Sequence, residues 1–115
     1  MTVTIFHNPR CSKSRQTLAL LQERGVKPQI VEYLKTPPSA ADLKDILAKL
    51  GMEPRDLMRK KEPPYAALGL AGTDKTPAAL IAAMVANPVL IERPIVLAGG
   101  KAAIGRPPEN VLKIL

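Results

Sequence analysis

Residues 7–15 read His-Asn-Pro-Arg-Cys-Ser-Lys-Ser-Arg, and Cys11 within them is the only cysteine of the 115-residue chain. The thiolate is the nucleophile, and an unperturbed cysteine is only a few per cent ionised at neutral pH. Here the thiol stands among four basic side chains, His7, Arg10, Lys13 and Arg15, between an apolar run and a helical pattern. Unpaired N–H groups at a helix start favour negative charge, and Arg10, Lys13, Arg15 and His7, if protonated, add positive potential. The expectation is a lowered thiol pKa and nucleophilic chemistry at sulfur. His7 is a candidate either for a direct part in that chemistry or for orienting the loop and tuning the thiol.

Ser14 occupies the position of the second cysteine in a Cys-x-x-Cys redox pair, so no local resolving thiol is present. An oxidised intermediate on Cys11 must be resolved from outside. At helical i, i+3 spacing, Ser14 is also placed to donate its hydroxyl to the Cys11 thiolate.

The elements that must position this thiol are legible as a coarse pattern. Val3-Thr-Ile5-Phe6 alternates and meets the Asn8-Pro9 turn signal, predicting a first strand that ends at His7. Residues 12–24 predict a helix with Leu18, Leu20 and Leu21 on its apolar face and Gly25 after its end. Gln29 to Tyr33 is a β-prone run ended by Thr36-Pro37-Pro38, and so short a strand-helix-strand unit favours parallel pairing. Ser39 with Asp42 resembles a capping box before Leu43, Ile46, Leu47 and Leu50. Residues 52–76 read as loops with short helical turns at 55–59 and 65–70. Thr76 as N-cap, with Pro77 at the first helical position, begins another helix that ends near Asn87. Pro94 to Ala98, Gly99-Gly100 and Lys101 to Ile104 form a hairpin signature, and Glu109 to Leu115 predicts a short terminal helix. The order is a parallel βαβ unit, a helical insertion and a ββα unit, a thioredoxin-like α/β arrangement with a mixed four-stranded sheet.

Composition narrows the partners. Seventeen Lys and Arg against ten Asp and Glu leave a formal charge of +7, so anions are natural ligands. The basic residues form no long run and aromatics are scarce, which argues against nucleic acid. No stretch approaches the roughly 20 apolar residues needed to span a bilayer, and no signal-peptide pattern opens the chain. A lone thiol persists most easily in a reducing compartment, so a cytoplasmic location is expected, without membrane partners. No metal site and no bound cofactor are expected.

Four segments in order, the His7 to Arg15 loop, Leu57-Met-Arg59-Lys, Glu92-Arg93-Pro94-Ile-Val96 and Gly105-Arg106-Pro107, make the chain resemble the glutaredoxin-coupled arsenate reductase family. The resemblance covers nearly the whole chain and implies a single thioredoxin-like domain over residues 1–115. It implies that Cys11 attacks the arsenic of bound arsenate, that Arg59, Arg93 and Arg106 hold the oxyanion, and that Pro94 is the cis proline facing the thiol. It further implies glutathione as the external reductant and glutaredoxin as its partner. Ser12, Lys13 and Gln16 depart from the Gly, Thr and Asn common in proven reductases, and Leu115 ends the chain before the extension of longer members, so the likeness is to the short arm of the family.

Two other functions fit parts of the pattern. Regulators of the Spx type, which bind RNA polymerase, share this fold family but carry Cys-x-x-Cys, where Ser14 stands here. A glutathione-dependent thiol-disulfide oxidoreductase needs only one active cysteine.

Overall fold

Val3 and Ile5 alternate with Thr4 and Phe6 at the two-residue period of a strand, and Val3–Phe6 is β1 in the computed structural model, which describes residues 2–115. After a tight loop the chain enters α1, Ser12–Glu23, and returns as β2, Gln29–Val31, parallel to β1 with Ile30 opposite Ile5. β3, Ile95–Ala98, runs antiparallel to β1 on its other side, and β4, Lys101–Ile104, pairs antiparallel with β3. The sheet order is β2-β1-β3-β4. Gly99 and Gly100 turn the hairpin with φ of 57° and 80°, the left-handed pair that a two-residue turn of matching twist demands.

The residues gather into two compact units, Met1–Thr36 with Arg93–Leu115, and Pro37–Glu92. In the first, Val3, Ile5, Leu21, Val96, Ala98 and Val111 form the core, with Leu18, Leu20 and Val26 packed around it. Ile5, Leu21, Val96 and Val111 are fully buried, and each contributes about 1.5–3 kcal/mol relative to exposure. The second unit is the predicted helical insertion. It contains α2 (Ala40–Leu50), α3 (Pro63–Ala67) and α4 (Pro77–Ala86). The capping box forms as read, with Ser39 Oγ accepting from the Asp42 amide and Asp42 Oδ2 from the Ser39 amide, both at 3.1 Å. Thr76 Oγ1 likewise accepts from the Ala79 amide at the head of α4.

Four local expectations change. β2 ends at Val31, because the Glu32 carbonyl turns to accept from the Lys35 and Thr36 amides, although Tyr33 remains buried. The buried face of α1 is Ser14, Thr17 and Leu21, while Leu18 and Leu20 are half-buried. The turns between α2 and α4 begin earlier than the sequence suggests, a 3-10 helix at Pro54–Leu57 and α3 at Pro63, each opening on a proline whose missing N–H would have had no intrahelical partner. The terminal helix is a 3-10 helix, Pro108–Ile114, rather than α. Seven residues behind two prolines leave room for few thirteen-atom rings, and the tighter i→i+3 bonds prevail, as from Asn110 N to Pro107 O.

Candidate active site around Cys11

The loop after β1 is braced by its own short contacts. The Cys11 amide donates to Asn8 O at 3.0 Å, the Arg10 amide to Asn8 Oδ1 at 3.0 Å, and Arg15 Nη1 reaches back to Pro9 O at 3.0 Å. Cys11 thereby becomes the N-cap residue of α1, with φ −91° and ψ 123°, and no side-chain oxygen occupies the helix start. Its side chain is 8% exposed.

Hairpin register brings two arginines to this thiol. Ile95 pairs with Ile104 and the Gly105 amide donates to Pro94 O at 2.9 Å, so the next residues outward, Arg93 and Arg106, stand side by side. Arg106 Nε donates to Arg93 O at 2.8 Å and Arg106 Nη2 donates to Cys11 Sγ at 3.4 Å. The Arg93 guanidinium also hydrogen-bonds the sulfur. Both arginines precede cis prolines, Pro94 and Pro107, the first matching the expectation for Pro94 and the second unforeseen.

Burial alone pushes the Cys11 thiol up. It is outweighed by the Ser14 amide, the Arg93 hydrogen bond and charge, and the Lys13 amide, so the thiol lies below its ordinary value of 9.0. A sulfur held in this way has its thiolate form favoured beside two guanidinium groups, an arrangement suited to attack on an electrophile that is itself an anion.

Residues 6–114 match the ArsC family. The chain belongs to that family. It is 60% identical to the Escherichia coli (strain K12) protein named uncharacterized protein YfgD, over 98% of this chain and 96% of that one. It is 53% identical to a protein of Neisseria meningitidis serogroup A named arsenate reductase, over 98% of this chain and 97% of that one. The solved structure of arsenate reductase from Vibrio cholerae aligns with a TM-score of 0.98 at 52% identity, covering 100% of this chain and 98% of that one. The fold is thioredoxin-like, with the mixed four-stranded sheet that the sequence led us to expect.

Elsewhere in this ArsC-family chain, the structure assigns the supporting residues more sharply. His7 is 6% exposed and its Nδ1 lies 2.6 Å from Ser14 Oγ, which also accepts from the Asn8 amide at 3.0 Å. Burial is the largest influence on the imidazole; it and Arg15 lower the pKa against the opposing pull of Glu32, leaving it below 6.5. His7 is therefore neutral at pH 7, which corrects the idea that it lends positive charge to the thiol. Ser14 reaches Cys11 through its amide, while its hydroxyl serves His7 and Asn8. Arg15 braces the loop at Pro9.

Because the folded chain resists protonating His7, the unfolded chain binds the extra proton first as pH falls. The contribution of His7 to stability is full above 6.5 and is lost as pH drops through the lower folded-state value. Urea midpoints measured from pH 7.5 downward should fall below about pH 6.5, and His7→Gln should flatten that part of the curve.

Arg59 lies in the unit Pro37–Glu92, about a quarter exposed, with Nε 3.4 Å from Glu62 Oε1 and Nη1 donating to Glu92 Oε1 at 3.3 Å. A two-stranded bridge sets it there: Met58 pairs with Ile91, the Arg59 amide donates to Leu90 O at 2.7 Å, and the Glu92 amide to Leu57 O at 2.8 Å. Cys11, Arg93 and Arg106 are thus in direct contact, and Arg59 is organised within its own unit by two carboxylates.

Sequence reasoning passed over Thr17, which is fully buried, donates to Lys13 O at 2.8 Å and lies 3.5 Å from Gly105 O. Its spacing of three from Ser14 was the available signal. Thr17 also explains Gly105: a Cβ there would collide with Thr17 Oγ1 and lie 2.8 Å from Pro94 Cγ. Gly105→Ala should destabilise the chain by about 1–3 kcal/mol in urea unfolding, since neither neighbour has room to retreat.

Proposed function

We propose that this protein reduces arsenate to arsenite through the Cys11 thiolate, with glutathione and glutaredoxin supplying the electrons. The observation that carries this reading is the single sulfur held by Arg93 and by Arg106 Nη2 at 3.4 Å. It is joined by 53% identity to a protein named arsenate reductase.

In the proposed cycle the guanidinium forks of Arg59, Arg93 and Arg106 hold the tetrahedral oxyanion, which suits their planar geometry and permanent charge. Cys11 Sγ forms a bond to arsenic as one arsenate oxygen leaves as water. Glutathione then forms a disulfide with Cys11 sulfur while the sulfur–arsenic bond breaks, and its electron pair stays on arsenic, which leaves as arsenite. Glutaredoxin exchanges the mixed disulfide and restores the thiol. Arginine charge developed against the oxyanion during these steps stabilises the transition state as well as the bound ion.

The absence of a second cysteine favours an external resolving thiol. The same lone thiol suits a reducing cytoplasm, where we place the reaction. The test is arsenite formation by pure reduced protein given arsenate, glutathione, glutaredoxin and a glutathione-reducing system. Turnover that needs each component is the expected outcome; no turnover beside an active control removes arsenate as the substrate.

A further inference from the structure

The turn that presents Cys11 has a second face. Residues 8–11 form it, closed by the Cys11 amide on Asn8 O, and the His7 amide donates to Val31 O at 2.8 Å, which holds the turn against the segment that follows β2. Between them lies a cavity of about 220 Å³, with Pro9 and Leu34 as apolar walls and Arg10, Glu32 and Lys35 as charged ones. His7 lines it too. All of these residues belong to the unit Met1–Thr36 with Arg93–Leu115.

The hydrogen bonds of Ser14 decide which nitrogen of His7 carries the proton. Ser14 is fully buried, and its Oγ accepts from the Asn8 amide. Its own proton needs an acceptor, and the structure provides His7 Nδ1 at 2.6 Å. The neutral ring therefore carries its proton on Nε2. With Nδ1 committed, Nε2–H is the donor that His7, only 6% exposed, leaves to the cavity it lines. Glu32 and Lys35 add an acceptor and a cation. Their own pair, at 3.7 Å between exposed side chains, is weak enough for a ligand to open.

We propose that this cavity binds the γ-glutamyl end of glutathione. That end is a zwitterion: its ammonium suits Glu32, and its carboxylate suits His7 Nε2–H together with Lys35 or Arg10. The glycyl end offers a carboxylate alone and sets Glu32 against an anion. Reach agrees with this orientation. A turn of this kind keeps its first and fourth Cα atoms within about 7 Å, roughly the length of two extended residues, so a tripeptide with its sulfur at Cys11 can lay one arm across residues 8–10. The assignment rests on glutathione as the reductant under the proposed function, and it adds where that reductant is held.

Titration of the reduced, isotope-labelled full-length protein with S-methylglutathione, whose capped sulfur cannot exchange, tests the site without turnover. Amide resonance shifts should centre on residues 7–10 and 32–35. Glu32→Gln, and Leu34→Trp, which fills the cavity from an exposed position, should each weaken binding by about tenfold. In turnover the same variants should raise the KM for glutathione, with kcat at saturating glutathione and the KM for arsenate unchanged. With the wild type, S-methyl-γ-glutamylcysteine, which lacks the glycine, should bind within about threefold of S-methylglutathione, and the S-methyl glutaryl analogue, which lacks only the ammonium, about tenfold more weakly. This analogue series decides the matter if a variant does not fold. No binding at millimolar concentration, shifts centred instead on the groove of Lys13, Gln16 and Pro107, or a glutaryl analogue that binds as well as S-methylglutathione overturns the assignment while glutathione-dependent turnover stands. The expected binding pattern in a protein that turns over no arsenate removes the proposed reaction and leaves the glutathione site in place.

Discussion

A Cys11→Ser variant should form no arsenite above the buffer rate, a loss on the order of 10³-fold or more, because removing a nucleophile that acts as a unit with its surroundings removes the covalent path altogether. The serine hydroxyl is not ionised near neutral pH, so neither Arg93 nor the helix start can make it a comparable nucleophile. It also cannot form the disulfide that carries electrons to arsenic. The fold should survive, since Cys11 is the N-cap residue of α1 and serine is among the best residues at that position. Unchanged circular dichroism beside absent turnover would separate lost chemistry from lost structure. Surviving turnover would place the reaction on another group.

Arg93→Ala should lower kcat/KM for arsenate by roughly 10²–10³-fold. Two effects act in the same direction. Arg93 supplies both a hydrogen bond and a charge to the Cys11 sulfur, so its removal leaves burial less opposed and moves the thiol back toward 9.0. The oxyanion also loses a bidentate partner. The pH dependence of Cys11 alkylation reads the first effect alone: half-maximal reactivity should lie below pH 9.0 in the wild type and rise in the variant. Raising the assay pH should then restore part of the activity of Arg93→Ala, and Arg93→Lys, which keeps the charge but loses the fork, should retain the alkylation profile better than the turnover. An alkylation profile identical to that of the wild type would show that Arg93 does not tune the thiol.

Much of this site could be reached from local patterns because its parts are set by local rules. Val3–Phe6 alternates, Cys11 follows the Asn8-Pro9 turn, and Gly99-Gly100 fixes a two-residue hairpin whose register alone carries Arg93 to Arg106. Once that hairpin is granted, the meeting of the two arginines at its open end follows by counting. Burial was less accessible. Ser14 and Thr17 are polar and lie outside the apolar pattern of α1, yet each finds its hydrogen bonds nearby, on His7 and Asn8 or on Lys13 O, and so is buried without penalty.

The charge of His7, open in the sequence, was equally out of reach. Its neutral state follows from an environment assembled by β1, α1 and the chain after β2, which no spacing rule encodes. Around Arg59, Glu62 lies three residues along, across a single turn. Glu92 lies 33 residues away and arrives only through the bridge between Met58 and Ile91. The prolines at 54 and 63 carried the start signals of two short elements, and giving them the weight given to Pro77 would have placed both correctly.

The most direct test of the Cys11 mechanism is the intact mass of the protein after reduced enzyme, arsenate and glutathione are mixed without glutaredoxin and quenched with acid. The mechanism predicts one glutathione joined to Cys11, formed only when arsenate is present and lost when glutaredoxin is added. No adduct, or an adduct that forms equally without arsenate, would contradict it.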